Sequence, residues 1–137
     1  MKNQTLQSLA VIYRRIENSR NYDASFQEVI GNNKTEVDFL MNKFNLKEEE
    51  ALLLAAACIQ TIYQNSPEFD VSDLANRLEV NNFEILLQQS HLKSLVEKGF
   101  LVEFPKKHDS NCRNYQSAVE IMNKKFALHT TFGQYLV

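Results

Sequence analysis

The stretch Phe69 to Phe104, FDVSDLANRLEVNNFEILLQQSHLKSLVEKGFLVEF, constrains the fold of this chain more than any other. Its spacing predicts a short helix, a tight turn, a longer helix, a glycine stop and a strand. Ser72 or Asp70 can accept the first free amides of a helix running to Leu78, and Asn81 or Asn82 can do the same for the helix after it. Gly99 stands where a helix end wants a left-handed residue, and Phe100 to Phe104 is expected to be extended.

The segments before this stretch read as helices. Leu6, Leu9, Ala10, Tyr13 and Ile16 form one apolar stripe. Residues Asn18 to Asn33 are polar apart from Tyr22, Phe26, Val29 and Ile30, and Gly31 with two asparagines marks a break. Val37, Leu40, Met41 and Phe44 form a second stripe capped by Thr35 or Asn33. Asn45 is expected to open a third helix, with Glu48 as its capping-box partner and Glu49 and Glu50 beside it at the positive helix end. The body of that helix, ALLLAAACIQTIY, is apolar on nearly every side, which places it at the centre of the domain, ended by Asn65, Ser66 and Pro67.

Beyond Phe104 the polar loop PKKHDSNCRN leads to Tyr115 to Met122, whose alternation predicts the second strand of a hairpin. A last helix is expected from Asn123, carrying Phe126, Ala127 and Leu128. The whole reads as mainly α with a small β-hairpin: a winged helix-turn-helix with two extra N-terminal helices. Residues 1–44 form a helical extension packed on a core of residues 45–137, in one compact unit. The 137 residues, 44% of them hydrophobic, are enough to bury about 65 to 70% of the unfolded surface without a disulfide or metal staple.

The run LKEEEALLLAAACIQTIYQN, followed by FDVSDLANRLEVNNFEILLQQSHLKSLVEKGFLV, resembles the variant winged-helix domain at the N-terminus of certain bacterial AAA-family ATPases. The likeness covers residues 45–132. The shorter pieces VSDLANRLEV and HLKSLVEKGFLV are also similar to general winged-helix transcription regulators. In the ATPase family the nucleotide site lies in a downstream domain, so the resemblance carries over no catalytic residue. It implies that the chain, which stops on the apolar residues GQYLV, is the excised N-terminal domain of such a protein.

Chemistry of other kinds finds no residues to carry it. Three glycines, Gly31, Gly99 and Gly133, make no phosphate-cradling loop, so no nucleotide or other cofactor is expected on this chain. His91, His108 and His129 are scattered, and His108 with Cys112 gives two candidate ligands where a structural zinc wants four. Cys58, inside an apolar run, reads as a small core residue. The chain is expected to be non-enzymatic and cytoplasmic. Its longest apolar run, Ala51 to Ile59, is far short of the roughly 20 residues of a membrane span.

Fifteen basic against seventeen acidic residues, a formal net of −2, give no global attraction to a polyanion. Projected as one helix, Asn82 to Lys98 places Ile85, Leu92, Leu95 and Val96 on the core face and Phe83, Leu86, Leu87, Ser90, Ser94 and Glu97 opposite. A helix reading the major groove wants Arg, Lys, Asn or Gln in its first turns; this one has Phe83, Glu84, Leu86 and Leu87. Two expectations compete for the apolar arc. Either the N-terminal helices fold over it, or Phe83, Leu86, Leu87, Ser90 and His91 dock another protein or a downstream ATPase domain. The argument for double-stranded DNA lies in the hairpin tip, where Lys106, Lys107, His108 and Arg113 could meet anions or nucleic acid, with Arg14, Arg15 and Arg20 as a second basic spot. A DNA-binding transcriptional regulator is the alternative reading.

Overall fold

The computed structural model describes residues 3–19, 23–104 and 121–136. The chain runs α1 (Gln4–Ser19), α2 (Phe26–Asn32), α3 (Lys34–Phe44), α4 (Glu48–Gln64), β1 (Glu68–Phe69), α5 (Val71–Leu78), α6 (Asn82–Leu86), α7 (Gln89–Glu97), β2 (Leu101–Phe104) and β3 (Lys125–Leu128), and closes on a 3-10 helix at Thr130–Leu136. It is mainly helical, with a small three-stranded antiparallel sheet.

The central helix is α4, in which every residue from Glu50 to Gln60 is buried. It packs on α1, α3, α5, α7 and the sheet, and a helix apolar all round is stable only when neighbours surround it in this way. Its start differs from the expected one. Asn45 closes α3 in the left-handed conformation, φ 55°, and the Lys47 backbone N–H at the head of α4 donates to Glu50 Oε1 at 2.9 Å. Asparagine tolerates a left-handed φ better than other non-glycine residues, so Asn45 serves a helix end rather than a beginning. Asn65 ends α4 with the same geometry, φ 51°.

Helix α2 was not expected. Ser25 caps it by accepting from the Glu28 N–H at 3.1 Å, and Phe26, Val29 and Ile30 are buried at helical spacing. Gly31 therefore lies inside a helix, and the break comes at Asn33. That residue is buried and donates from Nδ2 to the Val29 carbonyl at 2.8 Å. Apolar burial of three residues in one turn outweighs the roughly 1 kcal/mol penalty of a helical glycine.

The sheet order is β1-β3-β2. Glu68 and Phe69 pair with Ala127 and Phe126 on one edge of β3, and Leu101 to Phe104 pair with Leu128 back to Lys125 on the other. The helix expected from Asn123 is thus overturned: residues 121–123 are helical and Lys125–Leu128 is the central strand. Ile121 and Met122 are likewise not the end of a strand. Both edges of β3 are laddered, which satisfies its backbone as fully as a helix would, and the Phe126 ring stacks on Phe69 with centroids 6.2 Å apart. Phe132 of the terminal 3-10 helix is buried among Phe44, Phe100 and Tyr135. One buried cluster runs from Leu9 to Phe132, and among the described residues no helix is long and apolar enough to cross a membrane.

Candidate functional site

Asp70 caps α5 by accepting from the Asp73 N–H at 2.9 Å, and Asp73 returns the bond to the Asp70 N–H at 2.9 Å. The helix ends at Glu79, held at φ 57°. Two residues later Asn81 caps α6, its Oδ1 accepting from the Glu84 N–H at 3.2 Å. The expected single helix from Asn82 to Lys98 is in fact two. The Leu87 and Gln88 amides still donate back to the Phe83 and Ile85 carbonyls, and α7 starts afresh at Gln89, its first turn bonded to the Gln88 carbonyl. Gly99, φ 84°, then turns the chain into β2.

This break changes which side chains share a surface. Ile85, Leu92 and Leu95 are buried, as the projection has them. Ser94, assigned to the outer arc, instead donates its hydroxyl to the buried carboxylate of Glu50. Burial alone would raise the Glu50 carboxyl pKa. The Ser94 hydroxyl, the Lys47 backbone N–H and the Lys98 ammonium at 3.0 Å outweigh that and hold it below the usual carboxylate range.

Phe83 on α6 and Leu87, the residue that caps its C-terminal end, are 74% and 75% exposed, while Leu86 between them is half-buried against the core. The expectation that the N-terminal helices cover this arc does not hold. The apolar residues of α1, α2 and α3 are used around α4, and α2 reaches α6 through a polar contact, the Phe26 backbone N–H donating to Glu84 Oε1 at 2.6 Å. Glu84 is therefore half-buried and engaged. Ser90 is exposed and His91 half-buried on the first turn of α7. The surface made by Phe83, Leu87 and Ser90 thus carries apolar carbon and a hydroxyl, and no lysine or arginine lies between Arg77 and Lys93. It is suited to excluding water against another apolar surface.

Lys106, Lys107, His108 and Arg113 lie outside the described residues, as do Arg20 and Cys112. Of the second basic spot, Arg14 is exposed, but the Arg15 guanidinium is occupied by the Asn32 carbonyl, the Asn33 side chain and the Glu36 carboxylate. Cys58 is fully enclosed, and burial pushes its thiol pKa far above the usual range, away from thiolate chemistry. Two features of this region had no clear sequence signal: the joint at Leu87–Gln88, where no glycine or proline stands, and the bond from Glu84 to Phe26, 58 residues away. No protein-family model, curated protein or solved structure matches this chain.

Proposed function

We propose that this chain is a non-catalytic winged-helix module that docks a partner protein through the exposed ridge of Phe83 and Leu87. The order α4, β1, α5, α6 with α7, β2, β3 and the sheet order β1-β3-β2 support a winged-helix reading. The resemblance to the N-terminal domains of AAA-family ATPases suggests that such a module serves a motor domain as its recognition arm.

The observation that carries the docking reading is the exposure of two large apolar side chains on the turn where a DNA reader would present Arg, Lys, Asn or Gln. Between Asp70 and Lys98 five acidic residues stand against three basic ones, a balance that disfavours phosphate. An exposed aromatic side chain with uncharged polar residues near it in the chain, here the exposed Asn81, Asn82 and Ser90, fits the aromatic-rich, charge-poor composition of a protein interface.

The test is a photo-crosslinking residue at Leu87 in the full-length protein in its native cells. A discrete crosslinked protein, lost on Phe83→Ser, is expected. Absence of that product, together with micromolar or tighter binding of duplex DNA that weakens steeply with salt, would establish the DNA-regulator alternative instead.

A further inference from the structure

A separate apolar groove runs between α1 and the second half of α4, walled by Leu6, Ala10 and Tyr13 on one side and Ile59, Ile62 and Tyr63 on the other. Ile62 and Tyr63 are 53% and 57% exposed, so they are not part of the core. The groove holds about 220 Å³, below the roughly 300 Å³ at which sites for drug-sized ligands begin, and a size suited to one or two apolar side chains.

The Tyr63 ring that lines this groove also holds a cation against it. The Arg77 guanidinium lies 4.1 Å from its centroid, and Tyr13 packs against it at 5.9 Å. Arg77 Nε donates to the buried Gln60 Oε1 at 3.0 Å, which fixes the side chain. Among the described residues its terminal nitrogens have neither a hydrogen bond nor an ion pair. Glu79 feels both Arg77 and Glu17 electrostatically, but one of its carboxylate oxygens is buried without a partner. A stacked, tethered guanidinium with free N–H groups is preorganised for a carboxylate.

We propose that this groove receives a short amphipathic helix of a partner protein, seating one or two apolar side chains between Tyr13, Ile62 and Tyr63 and setting an aspartate or glutamate against Arg77. Two helical walls favour a third helix as occupant, the volume selects side chains over a metabolite, and the arginine selects the charge. Glu17 and Glu79 nearby restrict the acidic part to a single carboxylate, since a more acidic strip would meet them. The site is independent of the Phe83 ridge.

The experiment is selection of a displayed library of short amphipathic helices on the full chain. Expected binders have apolar residues at i and i+3 or i+4 and an acid one turn away. They should lose binding on Ile62→Glu, weaken about tenfold on Arg77→Met, equivalent to about 1.4 kcal/mol, and be unaffected by Phe83→Ala. Exchanging the acid for lysine in the peptide should abolish binding, and Arg77→Glu should restore it. This charge swap keeps the test sound should Arg77→Met perturb folding. Selected helices without an acidic preference, or binding that survives Ile62→Glu, would overturn the proposal.

Discussion

Glu50, in the first turn of α4, and Lys98, just past the end of α7, meet at 3.0 Å with the carboxylate buried and the ammonium partly in water. The pair joins the central helix to the last helix before the sheet, and Ser94 supplies the second bond. Because Lys98 can reach solvent when its partner is gone, the cost of losing either member is unequal. Lys98→Met, which leaves the buried Glu50 carboxylate without its counter-ion, should destabilise by about 3 kcal/mol and Glu50→Ala by about 1 to 2 kcal/mol, read from urea unfolding. The folded-state pKa of Glu50 is held below its unfolded value. The contribution is therefore present in full above about pH 4.3 and lost as pH falls through the folded pKa. Lys98→Met should move that acid limb to higher pH.

Glu79 presents the opposite sign. It holds a left-handed backbone, φ 57°, and its carboxyl pKa is raised by burial and by the nearby Glu17 against the pull of Arg77. An acid whose folded pKa exceeds its unfolded one contributes stability at low pH and loses it as pH rises from the unfolded to the folded value. Glu79→Gln should therefore stabilise at neutral pH, with the gain vanishing near pH 3, where both states are protonated. Glu79→Gly, which also relieves the backbone, should add about 0.5 to 1 kcal/mol in thermal unfolding.

Exposure and burial alternate sharply along α6, so substitutions there separate docking from folding. Ile85→Ala, at a position fully enclosed, should cost about 2 to 4 kcal/mol. Phe83→Ala and Leu87→Ala should each change stability by no more than about 0.5 kcal/mol, and Phe83→Ala should remove the partner crosslink formed at position 87. Equal destabilisation at Phe83 and Ile85, measured by chemical denaturation, would mean that Phe83 is packed.

At Gly99 the left-handed conformation at φ 84° is needed to leave α7 for β2, and an added Cβ would meet nothing within 4 Å. Gly99→Ala should then cost only the conformational term, about 1 to 2 kcal/mol, without altering the midpoint sharpness of the unfolding curve.

The elements with strong local patterns were legible in the sequence: the stripe of α1, the all-round apolar α4, the Gly99 stop, and the Asp70 and Asn81 caps as one of two candidates each. What was not legible depended on partners far away in the chain. Nothing near Phe126 announces a central strand, because its character comes from Phe69 on one edge and Glu103 on the other. Ser94 reads as an outer-face residue until the joint at Gln88 swings α7 and brings Glu50 to its hydroxyl. The exposure of Phe83 and Leu87 follows from where α1 to α3 use their own apolar residues, a competition that no single stripe reveals. Lys106, Lys107, His108 and Arg113 lie outside the described residues.

The joint between α6 and α7 decouples two duties that a continuous rod would force together. Leu92 and Leu95 anchor one cylinder in the interior, whereas the other, a single short coil pinned by Ile85 and by Glu84 to the start of α2, aims Phe83 outward. Substitutions on the outer side of that short coil can thus alter what it offers to solvent, which under the docking proposal is where the choice of partner would be set, while the interior keeps its packing.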